Sequence, residues 1–496
     1  TAHNMAKQRG GAMELGELSQ LVGMAKNPTA NRIVETAELK VSYTDAKMLQ
    51  GRGLNPVRGT DSYDAESLQQ EVTMLASEDM GKRRAALFRV QQLATSPQTP
   101  QSLLSQAWEI LGLDLFKLMG DPVERCRDMA MRCLLAFLDR VTAVAHILPV
   151  AIPCLVHRVG SSPPEEASEE VRLLLLLVLS RVISLLPKQI GEYMEAVSDI
   201  LGVALQDSNP SVRKEACQII SMLCSVQRDK MKAVVRYEET RVGPEARYRY
   251  GELILALKPS LRHKHASVRT VAVCALGSLL LTGDKNLEVV EELVAWQQPN
   301  IIPIWHFFSG GTWEDGRLVT PEERGVRHNY LALLAGDKSV QVREAFIMML
   351  VDWMTRLKDR WDHEARLLPY LLNGLTDEIP HLRSVCWEAM ERLGQTHEEE
   401  KNNNDRDKQE LRDFREYGHR APAEANAQER WNTCVHEPPF SRRPRLGARM
   451  VVRNNFRRLI PTLVRELNEW QDATRTKSAQ LIYYLTLYCE HWVTGE

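Results

Sequence analysis

Leu205-Gln206-Asp207-Ser208-Asn209-Pro210-Ser211-Val212-Arg213-Lys214-Glu215-Ala216 joins two helical stripes and decides how this chain folds. Before it, Ile190, Met194, Val197, Leu201 and Leu205 recur at the three-to-four-residue spacing of one apolar helix face. After it, Val212, Ala216, Ile219 and Leu223 make a second such face. The break has a mechanism. Asp207 or Ser208 can accept backbone N–H bonds of the turn, and Pro210 suits a helix's first turn, where no N–H partner exists. Arg213 lies beside the first buried position, within reach of the turn aspartate of its own or an adjacent repeat. Its expected task is structural.

The junction recurs. An aspartate followed six residues later by an arginine appears as Asp121/Arg127, Asp207/Arg213, Asp337/Arg343 and Asp377/Arg383. Cys126, Val212, Val342 and Leu382 precede these arginines, and Ala130, Ala216, Ala345 and Cys386 follow shortly after. Weaker copies keep only the later half, at Arg84, Val171-Arg172, Val268-Arg269 and Thr476-Lys477. Successive positions lie 43, 45, 41, 56, 74, 40 and 94 residues apart. The unbroken intervals match two-helix HEAT or armadillo units. Neither helix of such a unit buries its stripe alone, so neighbours must stack. The expected fold is an all-α, HEAT/armadillo-like α-solenoid of stacked antiparallel helix pairs, a curved rod with short turns along one edge. Its expected layout is an irregular N-terminal extension over 1–65, a solenoid over 66–395 with insertions at 227–249 and 305–327, a charged Pro/Arg insertion over 396–449 and a further HEAT repeat over 450–496.

Composition fits that fold. Hydrophobic residues at 44% and charged residues at 26% are those of a packed soluble protein. A formal charge of −2 supplies no field to steer nucleic acid or an anionic membrane, and neither is expected as a partner. The 9 cysteines form no C-x-x-C pair and no zinc spacing. Cys126 and Cys133, like Cys217 and Cys224, sit seven apart on one helical face, as small core residues in a reducing compartment would. The most apolar run, 173–179, is far too short to span a membrane. The chain begins at Thr1 without an initiator methionine, so an incomplete start is expected.

Three stretches interrupt the period. The first, 227–249, mixes Arg236, Tyr237, Arg241, Arg247, Tyr248 and Arg249 with Asp229, Glu238, Glu239 and Glu245. It reads as a solvated connection. The second, 305–327, gathers Trp305, Phe307, Phe308 and Trp313 around Gly310-Gly311. Loops seldom hold such groups unless they fold back on the rod or meet a partner. The third opens with a polar run from Glu398 to Asp405 that looks unable to form a core, and ends in Pro438-Pro439-Phe440-Ser441-Arg442-Arg443-Pro444-Arg445. The candidate protein-binding residues are therefore Trp305, Phe307, Phe308, Trp313, Arg442, Arg443 and Arg445.

No enzymatic constellation is present in the sequence: H-E-x-x-H, G-x-S-x-G, the Walker pattern and the Rossmann fingerprint are all missing. No catalytic residue, cofactor or metal is expected.

Two passages carry a more specific resemblance. One, within 352–394, includes Asp352-Trp353, Leu367-Leu368-Pro369-Tyr370, Asp377, Arg383 and Trp387-Glu388-Ala389-Met390. The other, within 443–481, includes Arg443-Pro444-Arg445-Leu446-Gly447, Glu469-Trp470 and Thr476-Lys477-Ser478-Ala479-Gln480-Leu481. Both resemble the dynein axonemal assembly factor 5 family of HEAT-repeat proteins. Members of that family continue with further repeats, whereas this chain stops at Glu496, so a truncated or short form is expected. The resemblance implies a cytoplasmic scaffold that, with chaperones, pre-assembles axonemal dynein chains for motile cilia. The alternative is a stable component of the ciliary axoneme that binds tubulin or another axonemal complex. For tubulin, the nearest approach to a basic edge is Arg83-Arg84 and Arg262-His263-Lys264.

Overall fold

A computed structural model describes residues 65–141, 144–235, 238–240, 247–249, 252–283, 312–314, 317–319, 330–402, 424–468, 470 and 472–495. Residues 1–64 lie outside the description, as does the charged piece over 407–417. The chain divides into two compact units, Thr1–Ser260 and Leu261–Glu496.

In the first unit the described helices are α1 (Ala65–Leu75), α2 (Met80–Thr95), α3 (Gln101–Lys117), α4 (Glu124–Leu138), α5 (Leu148–Val159), α6 (Glu169–Leu185), α7 (Met194–Ala204), α8 (Pro210–Val226), α9 (Arg228–Val235) and α10 (Glu252–Leu257). They pack in two layers. The second helices form one, α2 on α4, α4 on α6 and α6 on α8, while α1, α3, α5, α7 and α10 stack as the other. The second unit holds α11 (Ala266–Thr282), α12 (Tyr330–Ala335), α13 (Val340–Arg356), α14 (Arg360–Asn373), α15 (Pro380–Lys401), α16 (Glu424–Thr433), α17 (Leu446–Glu466) and α18 (Asp472–Cys489). Here α11 packs on α13, α13 on α15, α15 on α17 and α17 on α18. Each unit is thus an all-α stack of HEAT/armadillo-type helix pairs. Two short antiparallel ribbons interrupt it, β1 (Glu238–Thr240) with β2 (Arg247–Arg249) and β3 (Thr312–Glu314) with β4 (Arg317–Val319).

The junction around Asp207 folds as its residues require. Asp207 accepts the Asn209 N–H at 2.8 Å, and Asn209 caps α8 by accepting the Ser211 N–H at 2.7 Å. Pro210 occupies the first helical position. Asp121, Asp337 and Asp377 make the same bond to the amides of Val123, Ser339 and Ile379.

The Asp-to-Arg spacing is one strand of a ladder. Five arginines fold back onto the carbonyls of their own turn and fork onto the carboxylate of the next, while Arg213 and Arg383 bond only the carbonyls of their own turn. Arg172 donates through Nη1 to the Glu166 and Ala167 carbonyls, and through Nε and Nη2 to Asp207 at 2.6 and 3.0 Å. Arg83 grips Asp121, Arg127 grips Glu166, Arg269 grips Asp337 and Arg343 grips Asp377 in the same manner. Asp121 and Asp207 are 4% and 9% exposed, so these rungs are shielded from solvent. The planar guanidinium suits them because its fork matches a carboxylate bidentately.

The ladder corrects one assignment. The first rung arginine is Arg83, because the carbonyls it needs belong to Ser77 and Glu78, six and five residues earlier. Glu166, which precedes Arg172 by six residues, takes the aspartate's place; Arg158 also grips it at 2.5 Å.

The core follows the apolar stripes. Trp108 packs edge-on against Phe116 at 6.4 Å and lies 5.8 Å from Phe137 in the first unit. Phe346 meets Tyr370 at 6.3 Å in the second. Of the 9 cysteines, 7 are buried, and burial pushes the thiols of Cys154, Cys224 and Cys489 up to about 12. Such thiols are protonated packing groups.

Removing one partner of a buried ion pair leaves an uncompensated charge, at a cost of about 3–5 kcal/mol. Arg172→Ala is therefore expected to lower the unfolding free energy of the chain by about 3 kcal/mol in a urea titration, whereas Lys82→Ala, at an exposed position of α2, stays within about 0.5 kcal/mol of the parent.

Candidate protein-binding surfaces

The Pro/Arg segment is built into the second unit by one aromatic side chain. Phe440, 3% exposed, enters a cage where its ring centroid lies 4.8 Å from Trp387, 5.1 Å from Tyr484 and 5.7 Å from Tyr488. Trp387 belongs to α15 and the tyrosines to α18, so the segment clamps the two helices together. Pro438 and Pro439, joined by a cis peptide bond, carry the chain into this cage.

The three candidate arginines separate. Arg443 is 8% exposed and grips Glu490 at 2.5 and 2.8 Å. Arg449 and Arg453 of α17 reach the same carboxylate at 3.2 and 3.5 Å. Arg443 therefore serves an internal knot, and a partner could not touch its guanidinium without opening it. Glu490 adopts a positive φ of 52°, which costs a non-glycine residue about 1–3 kcal/mol and persists where surrounding contacts over-determine it. Arg442 lies over the Trp387 ring at 5.8 Å and pairs with Glu388 and Glu391 at 3.3 Å, its side chain still 53% exposed. Arg445 pairs with Glu398 at 3.2 Å and keeps 41%. These two, with Glu388, present a polar surface over α15 that a partner can reach.

The polar run from Glu398 does not begin a linker. α15 extends to Lys401 because the run has internal partners. Glu398 accepts the Gly447 N–H at 2.9 Å, Glu400 pairs with Arg360, and buried His397 pairs with Glu364 at 2.9 Å. A side chain on Gly394 or Gly447 would strike the backbone of the other helix, so both glycines permit the close crossing of α15 and α17.

Trp305, Phe307 and Phe308 lie outside the described residues. Trp313 falls on β3, paired with Leu318 of β4, and its side chain lies outside the description. Arg83, one of the candidate tubulin contacts, is consumed by its rung with Asp121. Sequence reasoning passed over Phe440 and Glu490. Nothing in the local pattern flags Phe440, since an aromatic between prolines and arginines has no helical period. Glu490 has no partner nearby in the sequence to mark it, since Arg443, Arg449 and Arg453 reach it only in the packed fold.

Among the described residues, no group of three or more His, Cys, Asp or Glu could hold a metal ion, and no helix is long and apolar enough to cross a membrane.

The sequence matches two family descriptions: "Dynein axonemal assembly factor 5-like, TPR repeats" over 74–296 and 328–408, and "Dynein axonemal assembly factor 5, HEAT-repeat domain" over 435–495. Among curated relatives, dynein axonemal assembly factor 5 of Xenopus laevis is 26% identical over 431 residues, covering 86% of this chain and 43% of the relative. That of Homo sapiens is 27% identical over 452 residues, covering 89% and 45%. The chain thus spans less than half the length of these relatives. Among solved structures, a designed armadillo repeat protein aligns with 57% of this chain and 98% of its own at 18% identity, with a TM-score of 0.36.

Two measurements check the clamp and the knot. Phe440→Ala is expected to cost about 3–5 kcal/mol of unfolding free energy, the range for emptying a buried aromatic site. For Glu490, burial pushes the carboxyl up, but the Arg443 hydrogen bonds and the charges of Arg449, Arg443 and Arg453 outweigh it and hold the pKa below the ordinary 4.5. Glu166 is likewise held down, burial being outweighed by Arg127 and Arg158. A depressed carboxyl contributes stability that is fully present above 4.5 and lost as pH falls through the lowered folded value. Glu490→Gln should therefore destabilise the chain at pH 7, with the gap to the parent closing in urea titrations as pH drops below 4.5.

Proposed function

The chain belongs to the dynein axonemal assembly factor 5 family, and on that premise we propose that it is a non-enzymatic scaffold for building axonemal dynein arms. Its partners on this reading are dynein chains and the chaperones that deliver them, held in the cytoplasm before transfer to motile cilia. The observation that carries the proposal is the match of two family descriptions to the repeat regions of both units. Stacked helix pairs support it physically. The two layers of each unit offer extended faces on which many weak contacts can add up to one durable complex.

The aromatic candidates Trp305, Phe307, Phe308 and Trp313 belong to this proposal as partner contacts, with the exposed Arg442 and Arg445 over α15. Arg443 contributes by holding the Pro/Arg segment in place. The axonemal reading, with tubulin as partner, is weakened by the burial of Arg83 in a rung.

Fractionation of ciliated cells expressing the tagged chain tests the proposal. Recovery with dynein heavy and intermediate chains in the cytoplasmic fraction, and loss from salt-washed axonemes, is the expected result. Retention on salt-washed doublets, with no dynein chain in the cytoplasmic eluate, would refute it.

A further inference from the structure

Two arginines of the described ladder close on no carboxylate: Arg213 turns its Nε and Nη2 back onto the Asp207 and Gln206 carbonyls, whereas Arg383 leaves both groups open. Arg383 donates through Nη1 to the carbonyls of Asp377 at 2.7 Å and Glu378 at 3.2 Å. Arg83, Arg172 and Arg269 make the same pair of backbone bonds, each to the residues six and five positions earlier. In those three, and in Arg127 and Arg343, Nε and Nη2 then close on the carboxylate of the next turn. Arg383 is oriented by the same anchor, yet among the described residues no carboxylate completes its fork. It is also only partly buried, so a ligand can approach it.

The elements packed around it explain the gap. Among the described residues after α15, no aspartate turn closes on Arg383. Lys477 of α18 lies near Asp377, whose charge acts on it together with those of Arg343 and Glu378. Tyr484 of α18 feels both Glu437 and Arg383. Arg383 is thus placed as a rung with no acid of its own among the described residues.

We propose that Arg383 is a docking point for a carboxylate supplied by a bound protein, an aspartate or glutamate at the start of one of that protein's helices. The five closed rungs define what fits: a turn acid that keeps its backbone cap while offering two oxygens to Nε and Nη2. A free carboxylate ion and Glu437 of the same chain share that chemistry, and the test separates them. The inference rests on the scaffold reading only in assigning the carboxylate to a protein, and it is tested with purified components, without dynein.

The probe is a fluorescein-labelled peptide copying residues 203–216, which carries the Asp207 turn, titrated with the full 496-residue chain in fluorescence anisotropy. Saturable binding is expected. An Asp207→Asn peptide, or Arg383→Gln in the chain, should each weaken it about tenfold. Arg383→Lys should recover part of the loss, because a lysine offers the charge without the fork. Arg383→Gln should melt with the parent while Arg343→Gln melts earlier, which separates docking from folding. Equal binding of the Asn peptide, equal binding by Arg383→Gln, or no saturable binding overturns the proposal. Full competition by sodium acetate at the peptide's own concentration assigns the fork to small anions and overturns it. So does tighter peptide binding by Glu437→Gln, which would show the fork filled from within.

Discussion

Stacked helix pairs face a problem of register. Apolar stripes are nearly continuous, and burial is non-directional, so two helices could slide by a turn with little change in the area they cover. The rung formed by a buried arginine and the next turn's carboxylate removes that freedom. Its fork demands a fixed distance and plane, and its Nη1 anchor ties the demand to the start of its own helix. Buried pairs of this kind often break even against apolar substitutes in net stability. Their contribution here is alignment: each helix start is set against the next, and the two layers follow.

The same constraint explains how the repeat tolerates change. Glu166 replaces the usual aspartate and holds two arginines, Arg127 and Arg158, because its longer side chain reaches both. At Arg269 the preceding turn carries His263, and the rung still closes, since that turn supplies a backbone carbonyl and any residue has one. The Asp-to-Arg pattern therefore combines two requirements of different strictness. An arginine is needed at each rung, whereas the acid is needed only where an arginine precedes it.

After the closed rungs the second unit changes its means of support. α15, α17 and α18 are joined by the Phe440 cage and by the Glu490 knot, which draws in Arg443, Arg449 and Arg453. Tertiary clamps replace periodic ones where the sequence interval lengthens. The family's identity was legible in these irregular passages as well as in the repeats, because clamps of this kind depend on particular residues while repeat stripes accept many.

Helix starts, apolar stripes and the all-α repeat class were determined by the sequence alone, because each depends on residues within one or two turns of each other. The Asp207 turn, the Asn209 cap and Pro210 needed no distant partner. The choice of Arg83 over Arg84, the extension of α15 through a polar run to Lys401, and the inward role of Arg443 were decided only by tertiary structure. In each case a side chain's partner lies between 38 and 49 residues away, as in Arg83 with Asp121, Glu398 with Gly447 and Arg443 with Glu490. A charge reads as solvated until the opposite charge is brought to it, and only the packed fold brings it there.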